Sequence, residues 1–221
     1  MAASAPSWGG EIGSCDFSSA PTTPWLRIIG DAHVDAGVLN TAPLPNWERS
    51  GINVGPIPLD GATLTIEYDF RPVAFGQQCQ EFVSQVPSTH WYMCFVSNDG
   101  RFHLYARRAS QWQQRAASEA KCQEGKWYHV TVALTRTSFS FRVGPRGSPE
   151  VLWDSGPVEM DDTGEETVFA MVDEAPEAKG ATEWDNIVVH TDDEQIAARM
   201  AARAEQLAAE RKRNEELRVA S

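Results

Sequence analysis

Apolar and polar residues alternate through much of this chain, with the period of two that puts successive side chains on opposite faces of a strand. In ATLTIEYDFRPV, Leu64, Ile66, Tyr68 and Phe70 fall on one face and Thr65, Glu67, Asp69 and Arg71 on the other. RFHLYARR repeats the scheme, with Phe102, Leu104 and Ala106 opposed to Arg101, His103, Tyr105 and Arg107. In KWYHVTVALT, Tyr128, Val130, Val132 and Leu134 oppose Trp127, His129 and Thr131. Further short strands are predicted in SCDFS, DAHVDAGVLNTA, SGINVG, HWYMCFVS, SFSFRVG, EVLWDS, TVFAMVDE and TEWDNIVVH. NDG, between HWYMCFVS and RFHLYARR, is a tight hairpin turn. About ten short strands, punctuated by Pro and Gly with no helix between them, predict an antiparallel sandwich or barrel. PSTHWY and RRASQWQQRAASEAKCQEG read as loops. The second presents Trp112 among glutamines, arginines and serines, either plugging a local core or offered for stacking.

The pattern changes at Thr191. TDDEQIAARMAARAEQLAAERKRNEELRVAS lacks Gly and Pro and is loaded with Ala, Glu and Arg, which predicts a helix of about 27 residues, roughly 40 Å long. Thr191 is placed to N-cap it, with Glu194 as the reciprocal capping partner. The chain thus divides into a β domain over residues 1–190 and a charged helix over 191–221. The apolar stripe is thin: Ile196, Met200, Leu207 and Leu217, filled in by alanines. Such a helix is marginal alone in water. Its first half is expected to dock and its basic ERKR end to project, toward a protein partner or a second copy of the chain.

Charge and cysteines narrow the function classes. The formal net charge is −12, against general nucleic-acid binding, which draws its affinity from basic patches. Much of the acidity sits in EMDDTGEE and VDEAPEAKG, which read as solvated loops, with calcium binding there as the alternative. No run of about 18 apolar residues exists to span a membrane. MAASAPSW has neither the basic nor the apolar region of a secretory signal. Cys15, Cys79, Cys94 and Cys122 match no zinc spacing. Four cysteines in a sandwich suit an oxidising, extracytoplasmic or secreted setting, with three pairings possible. Four buried thiols are the other reading.

HVDAGVLNTA, LTIEYDFRPV, GRFHLYAR, GKWYHVTVALTRTSFSFRVG and TEWDNIVVH together resemble the concanavalin A-like lectin/glucanase superfamily, with laminin-G-like jelly rolls nearest, over residues 10–190. The resemblance implies a two-sheet antiparallel jelly-roll sandwich that binds sugars on its concave face or rim loops. The polar faces of three strands would then share one groove floor. Arg101, His103, Tyr105, Arg107, Trp127 and His129 are its expected ligand-binding residues, with Trp112 at the rim. These are side chains enriched at binding surfaces rather than the Thr, Lys, Glu and Ser of a solvated face.

In the meander so inferred, Cys79 and Cys122 fall at one end of the sheet as the favoured disulfide, leaving Cys15 with Cys94. A structural calcium is implied at Asp185, with Gly37 as a carbonyl donor. The glucanase branch uses E-x-D-x-x-E. Glu67 and Asp69 keep the first spacing, but Arg71 and Pro72 follow and no second Glu arrives. The lyase branch uses Arg with His and Tyr, the residue types of Arg101, His103 and Tyr105, without the short motifs around them. Three functions stay open: a non-catalytic glycan-binding or adhesive module, a divergent polysaccharide lyase or glycoside hydrolase, and a self-assembling structural surface protein.

Overall fold

The computed structural model describes residues 10–18, 25–42, 44–45, 48–76, 78–86, 89–109, 111–162, 164, 166–173 and 179–219, with 78–86 and 89–91 described by backbone alone. The first eight strands are β1 (Gly10–Cys15), β2 (Leu26–Ile29), β3 (His33–Asp35), β4 (Val38–Thr41), β5 (Ser50–Pro58), β6 (Leu64–Ala74), β7 (Gln78–Val86) and β8 (Thr89–Ser97). They are followed by β9 (Arg101–Arg108), β10 (Gln111–Lys121), β11 (Tyr128–Leu134), β12 (Ser138–Pro145), β13 (Trp153–Asp154), β14 (Val158–Glu159), β15 (Glu166–Asp173) and β16 (Ala181–Thr191). One helix, α1 (Glu194–Val219), closes the chain.

The strands form two antiparallel sheets. Sheet 1 runs β13-β12-β11-β6-β16-β4-β3, with β1 on β16 and β14 on β12. Sheet 2 runs β10-β9-β8-β7-β15-β5-β2. The alternating strands bury one face each, and the two buried faces meet. Tyr68 and Phe70 from β6, Phe139 and Phe141 from β12 and Trp184 from β16 pack with Tyr92, Phe102 and Phe169 of sheet 2 in one hydrophobic cluster. Rings bridge the sheets, with Phe70 edge-on to Phe102 at 6.3 Å between centroids and Tyr92 stacked on Phe139 at 4.0 Å. Each such side chain contributes about 1.5–3 kcal/mol through the area it buries. A polar tie joins the sheets at one end. Buried Asp173 of β15 accepts from Thr41 Oγ1 of β4 at 2.6 Å and Thr182 Oγ1 of β16 at 2.8 Å.

Segments expected as loops are strands. Residues 111–121 form the edge strand β10 and β8 begins at Thr89, within PSTHWY, while β2 and β7 had no predicted counterpart. At the edge of its sheet β10 is exposed nearly throughout, so nothing imposes the apolar alternation that marks a covered strand. DAHVDAGVLNTA folds as the hairpin β3–β4. Its turn has positive φ at both Ala36 (50°) and Gly37 (79°), the geometry of a tight hairpin turn.

The helix is capped two residues later than expected. Asp193 Oδ1 accepts from the backbone N–H of Gln195 at 2.7 Å and Ile196 at 3.3 Å. Thr191 is unavailable because it still belongs to β16, paired with Gly10 and Leu64. Ile196 and Met200 are buried in the core cluster. The helix lies so close to β1 that a Cβ on Gly10 would stand 3.0 Å from Ala197 Cβ. Arg199 Nη2 reaches Asp60 Oδ2 at 2.6 Å. Beyond half-buried Leu207 the described residues, 208–218, are exposed.

No disulfide joins the described residues. Cys15 and Cys94 are both free, so the Cys15–Cys94 pairing is not formed. Cys15 sits on sheet 1, paired with Ile187, and Cys94 in the core on sheet 2. Buried Cys122 donates its S–H to the Gly100 carbonyl at 3.3 Å, and the side chain of Cys79 lies outside the described residues.

Candidate functional site

The expected single groove does not exist, because its residues are divided between the sheets. β6 pairs with β11 and β16 in sheet 1, whereas β9 pairs with β8 and β10 in sheet 2. Alternation tells which side chains face outward. It does not tell which of two outward faces they share. Arg101, His103, Tyr105, Arg107 and Trp112 come together on sheet 2. Trp127 and His129 go to sheet 1, with Asp185.

The outward face of β8–β9–β10 is built on stacked rings. Phe95 stands opposite His103 in the β8–β9 ladder. Its ring lies 5.2 Å from His103 and 5.8 Å from Tyr105, with interplanar angles of 16° and 17°. Phe95 is only 7% exposed yet lies outside the core cluster; the rings of its own outer face cover it. The Tyr105 hydroxyl donates to Gln114 Oε1 at 3.2 Å, which orients the phenol across the β9–β10 ladder. Trp112 lies directly across from Arg107 and is 43% exposed. A register shift between Gln114 and Ala116 makes a bulge at Arg115, a device that re-aims side chains at sheet edges. Arg101 Nε sits 3.3 Å from Asp99, a carboxylate shared with Lys121 Nζ at 3.2 Å. Arg107 forms no ion pair with any described carboxylate. The face thus offers flat aromatic surface beside planar donors and an amide.

The outward face of sheet 1 is of another kind. Asp69, 4% exposed, accepts from His129 Nδ1 at 2.8 Å, Arg146 Nε at 2.9 Å and Asn186 Nδ2 at 2.8 Å. Arg146 Nη2 continues to Asp185 Oδ2 at 3.1 Å. Glu67 lies 3.8 Å from His129 Nε2 and 3.7 Å from His190 Nε2. Asn186 reaches Asp69 because a bulge in β16 turns its backbone to φ 50°, a region asparagine tolerates. The carboxylates of Asp69 and Glu67 raise the His129 imidazole from 6.5 to about 9. The hydrogen bond from His129 lowers Glu67. The guanidinium carbons of Arg71 and Arg146 lie 5.1 and 5.0 Å from the Trp127 ring centroid, and Arg71 also pairs with Glu183. A cleft of about 390 Å³ opens beside Glu67, His129 and Thr131. Glu67 is thus lowered by its hydrogen bond from His129, the opposite of the raised carboxyl that a glycosidase needs as its acid.

A calcium at Asp185 does not fit this arrangement. One oxygen of Asp185 takes the Arg146 guanidinium and the other its neighbour's N–H. Burial raises its carboxyl above the ordinary aspartate value. Gly37 adds only a turn backbone. Among the described residues no group of three or more His, Cys, Asp and Glu is arranged to hold a metal ion.

Four site residues escaped sequence reasoning. Phe95 was hidden because HWYMCFVS is apolar on both faces. Gln114 lay in a segment read as loop, Arg146 in a turn, and Asn186 depends on a bulge. The register shift is the one feature that no side-chain pattern carries.

No protein-family model matches the chain, and no curated protein sequence matches it. Solved structures do. Lectin II from Ulex europaeus is 11% identical over 84% of this chain and 100% of the lectin, with a TM-score of 0.60. The CBM2 module of the evolved Dit of Lactobacillus casei BL23 phage J-1 is 13% identical over 81% of this chain and 94% of the module, TM-score 0.58. The exoplasmic/lumenal domain of VIP36, in a form bound to Ca2+ and Man3GlcNAc, is 10% identical over 81% of this chain and 88% of that domain, TM-score 0.59. The likeness is one of fold: this chain is a two-sheet, lectin-like jelly roll with the concanavalin A-like fold, followed by one helix.

Proposed function

We propose that this chain is a non-catalytic carbohydrate-binding module whose site is the outward face of β8–β10, with Arg101, His103, Tyr105, Arg107 and Trp112 as ligand-binding residues. The observation that carries this reading is exposed Trp112, set across the ladder from Arg107 and beside Tyr105. A pyranose presents an apolar C–H face and a rim of hydroxyls. Stacking on a ring takes the first, and planar donors and amides take the second. The lectin, VIP36 and CBM2 neighbours support it as proteins of the same fold. The exoplasmic/lumenal placement of the VIP36 domain supports an extracytoplasmic setting for this chain. Residues 191–221 form an accessory unit in this reading, whose projecting half meets a protein partner. Among the described residues no helix is long and apolar enough to cross a membrane.

A polysaccharide lyase is the second reading, favoured by Arg101, His103 and Tyr105 on one strand face. Against it, the Tyr105 hydroxyl is engaged by Gln114 and His103 is packed on Phe95. A glycan array followed by the double variant Tyr105→Ala/Trp112→Ala tests the binding reading. Loss of about 1–3 kcal/mol per ring is expected for the glycan found. An unchanged affinity puts the site elsewhere. New absorbance from unsaturated uronates in a polysaccharide digest establishes the lyase instead.

A further inference from the structure

The chain carries a net charge of −12, yet the hairpin β9–β10 runs the other way. Residues 101–121 hold Arg101, Arg107, Arg108, Arg115 and Lys121 against the single acid Glu119. These bases divide by what they already hold. Arg108 bonds the Met160 carbonyl at 3.1 Å and lies 3.6 Å from Glu159. Arg101 and Lys121 share Asp99. Arg115 donates to the neutral Gln113 amide at 3.2 Å and sits in the bulge. Arg107, half-buried between Tyr105 and Trp112 on the outward face, meets no described carboxylate.

Four arginines elsewhere hold carboxylates: Arg71 with Glu183, Arg136 with Asp162, Arg146 with Asp69 and Asp185, and Arg199 with Asp60. Arg107, which meets no described carboxylate, leaves positive charge at the aromatic face beside Trp112. A half-buried guanidinium without its anion is poorly solvated on one side and presents its donors on the other. Its planar fork matches a carboxylate or sulfate.

We propose that this face selects an anionic polysaccharide, Arg107 taking a carboxylate or sulfate group while Trp112 stacks a neighbouring ring. This names the ligand class of the site proposed above and rests on that reading. The remaining surface is acidic and repels such a chain, which restricts its approach to the hairpin face.

The test is titration with polygalacturonate, heparin and a neutral dextran, at about 50 and 300 mM salt. Binding to either polyanion, weakening about tenfold at the higher salt, supports the proposal; which of the two binds tells carboxylate from sulfate. Arg107→Gln is expected to lose about tenfold in affinity, with Arg107→Lys in between because it keeps charge but not the fork. Neutral dextran bound as tightly as the polyanions, with no salt dependence, overturns the anion selection and leaves the glycan-binding reading standing. Failure of all three, together with a silent glycan array, removes both. Polyanion binding untouched by Arg107→Gln but lost in Arg211→Gln/Arg213→Gln places it on the projecting helix and overturns the proposal.

Discussion

The two outward faces of this sandwich use the same alphabet: arginine, histidine, tryptophan and carboxylate. On sheet 1 the charges gathered around Asp69 answer one another. Asp69 receives three donors, Arg146 spans two acids, and Trp127 lies against two guanidiniums. On the β8–β10 face the aromatic side chains stack on one another, and Arg107 faces out beside an exposed indole. The difference is one of satisfaction rather than composition. A closed network holds strands together and has little left for a ligand. An open one gives up some of that stabilisation and keeps groups in hand for something that arrives.

The largest test of this contrast is Asp69→Ala. Removing the hub strips the shared acceptor from His129, Arg146 and Asn186 at a buried point. Breaking such a pair from one side costs about 3 kcal/mol. Urea or thermal unfolding should register that loss, while affinity for any glycan found on the β8–β10 face stays unchanged. A stable variant with altered binding reverses the roles assigned to the two faces.

That contrast was only half visible in the sequence. The alternation of β6, β9 and β11 named the inward and outward residues correctly, since burial enforces it: Phe102, Leu104 and Ala106 are fully buried, as are Leu64, Ile66, Tyr68 and Phe70. The partition into sheets was not visible. β9 and β11 are near in sequence but separated by the edge strand β10, after which the chain crosses to the other sheet. A strand exposed on both faces, such as β10, has no apolar period to declare it. Because that strand was missed, Trp127 and His129 were grouped with His103 and Tyr105. Partnership was equally illegible. Arg146 in GPRGSPE finds Asp69 at long range through the fold, and nothing local distinguishes it from Arg107, which meets no described carboxylate.

The second test is pH. His129 binds its proton more tightly in the folded protein, with its ionisation raised from 6.5 to about 9 by Asp69 and Glu67. The stabilisation is therefore complete below pH 6.5, the unfolded value, and is lost as pH rises through about 9. The imidazole is nearly half exposed, so solvent screening reduces the effect to about 1 kcal/mol. Unfolding midpoints measured from pH 6 to 10 should fall across that window, and His129→Gln should flatten the curve. A flat profile in the unaltered protein means that the sheet 1 network does not hold a charged imidazole.

The smallest expected effect on stability belongs to Trp112→Ala, and it sharpens the contrast most. Trp112 is 43% exposed on an edge strand whose residues 111–115 are all exposed. Truncation there opens no cavity in the core and leaves the β9–β10 ladder to its backbone bonds. Surface changes away from special features fall within about 0.5 kcal/mol, and the unfolding midpoint should move no further. The same variant should lose most of its affinity for the bound glycan, because it removes the ring face on which the sugar stacks. If stability instead falls by about 2 kcal/mol or more, the indole is a structural plug of the kind that large buried aromatics form. The hairpin face would then be as closed as the one on sheet 1.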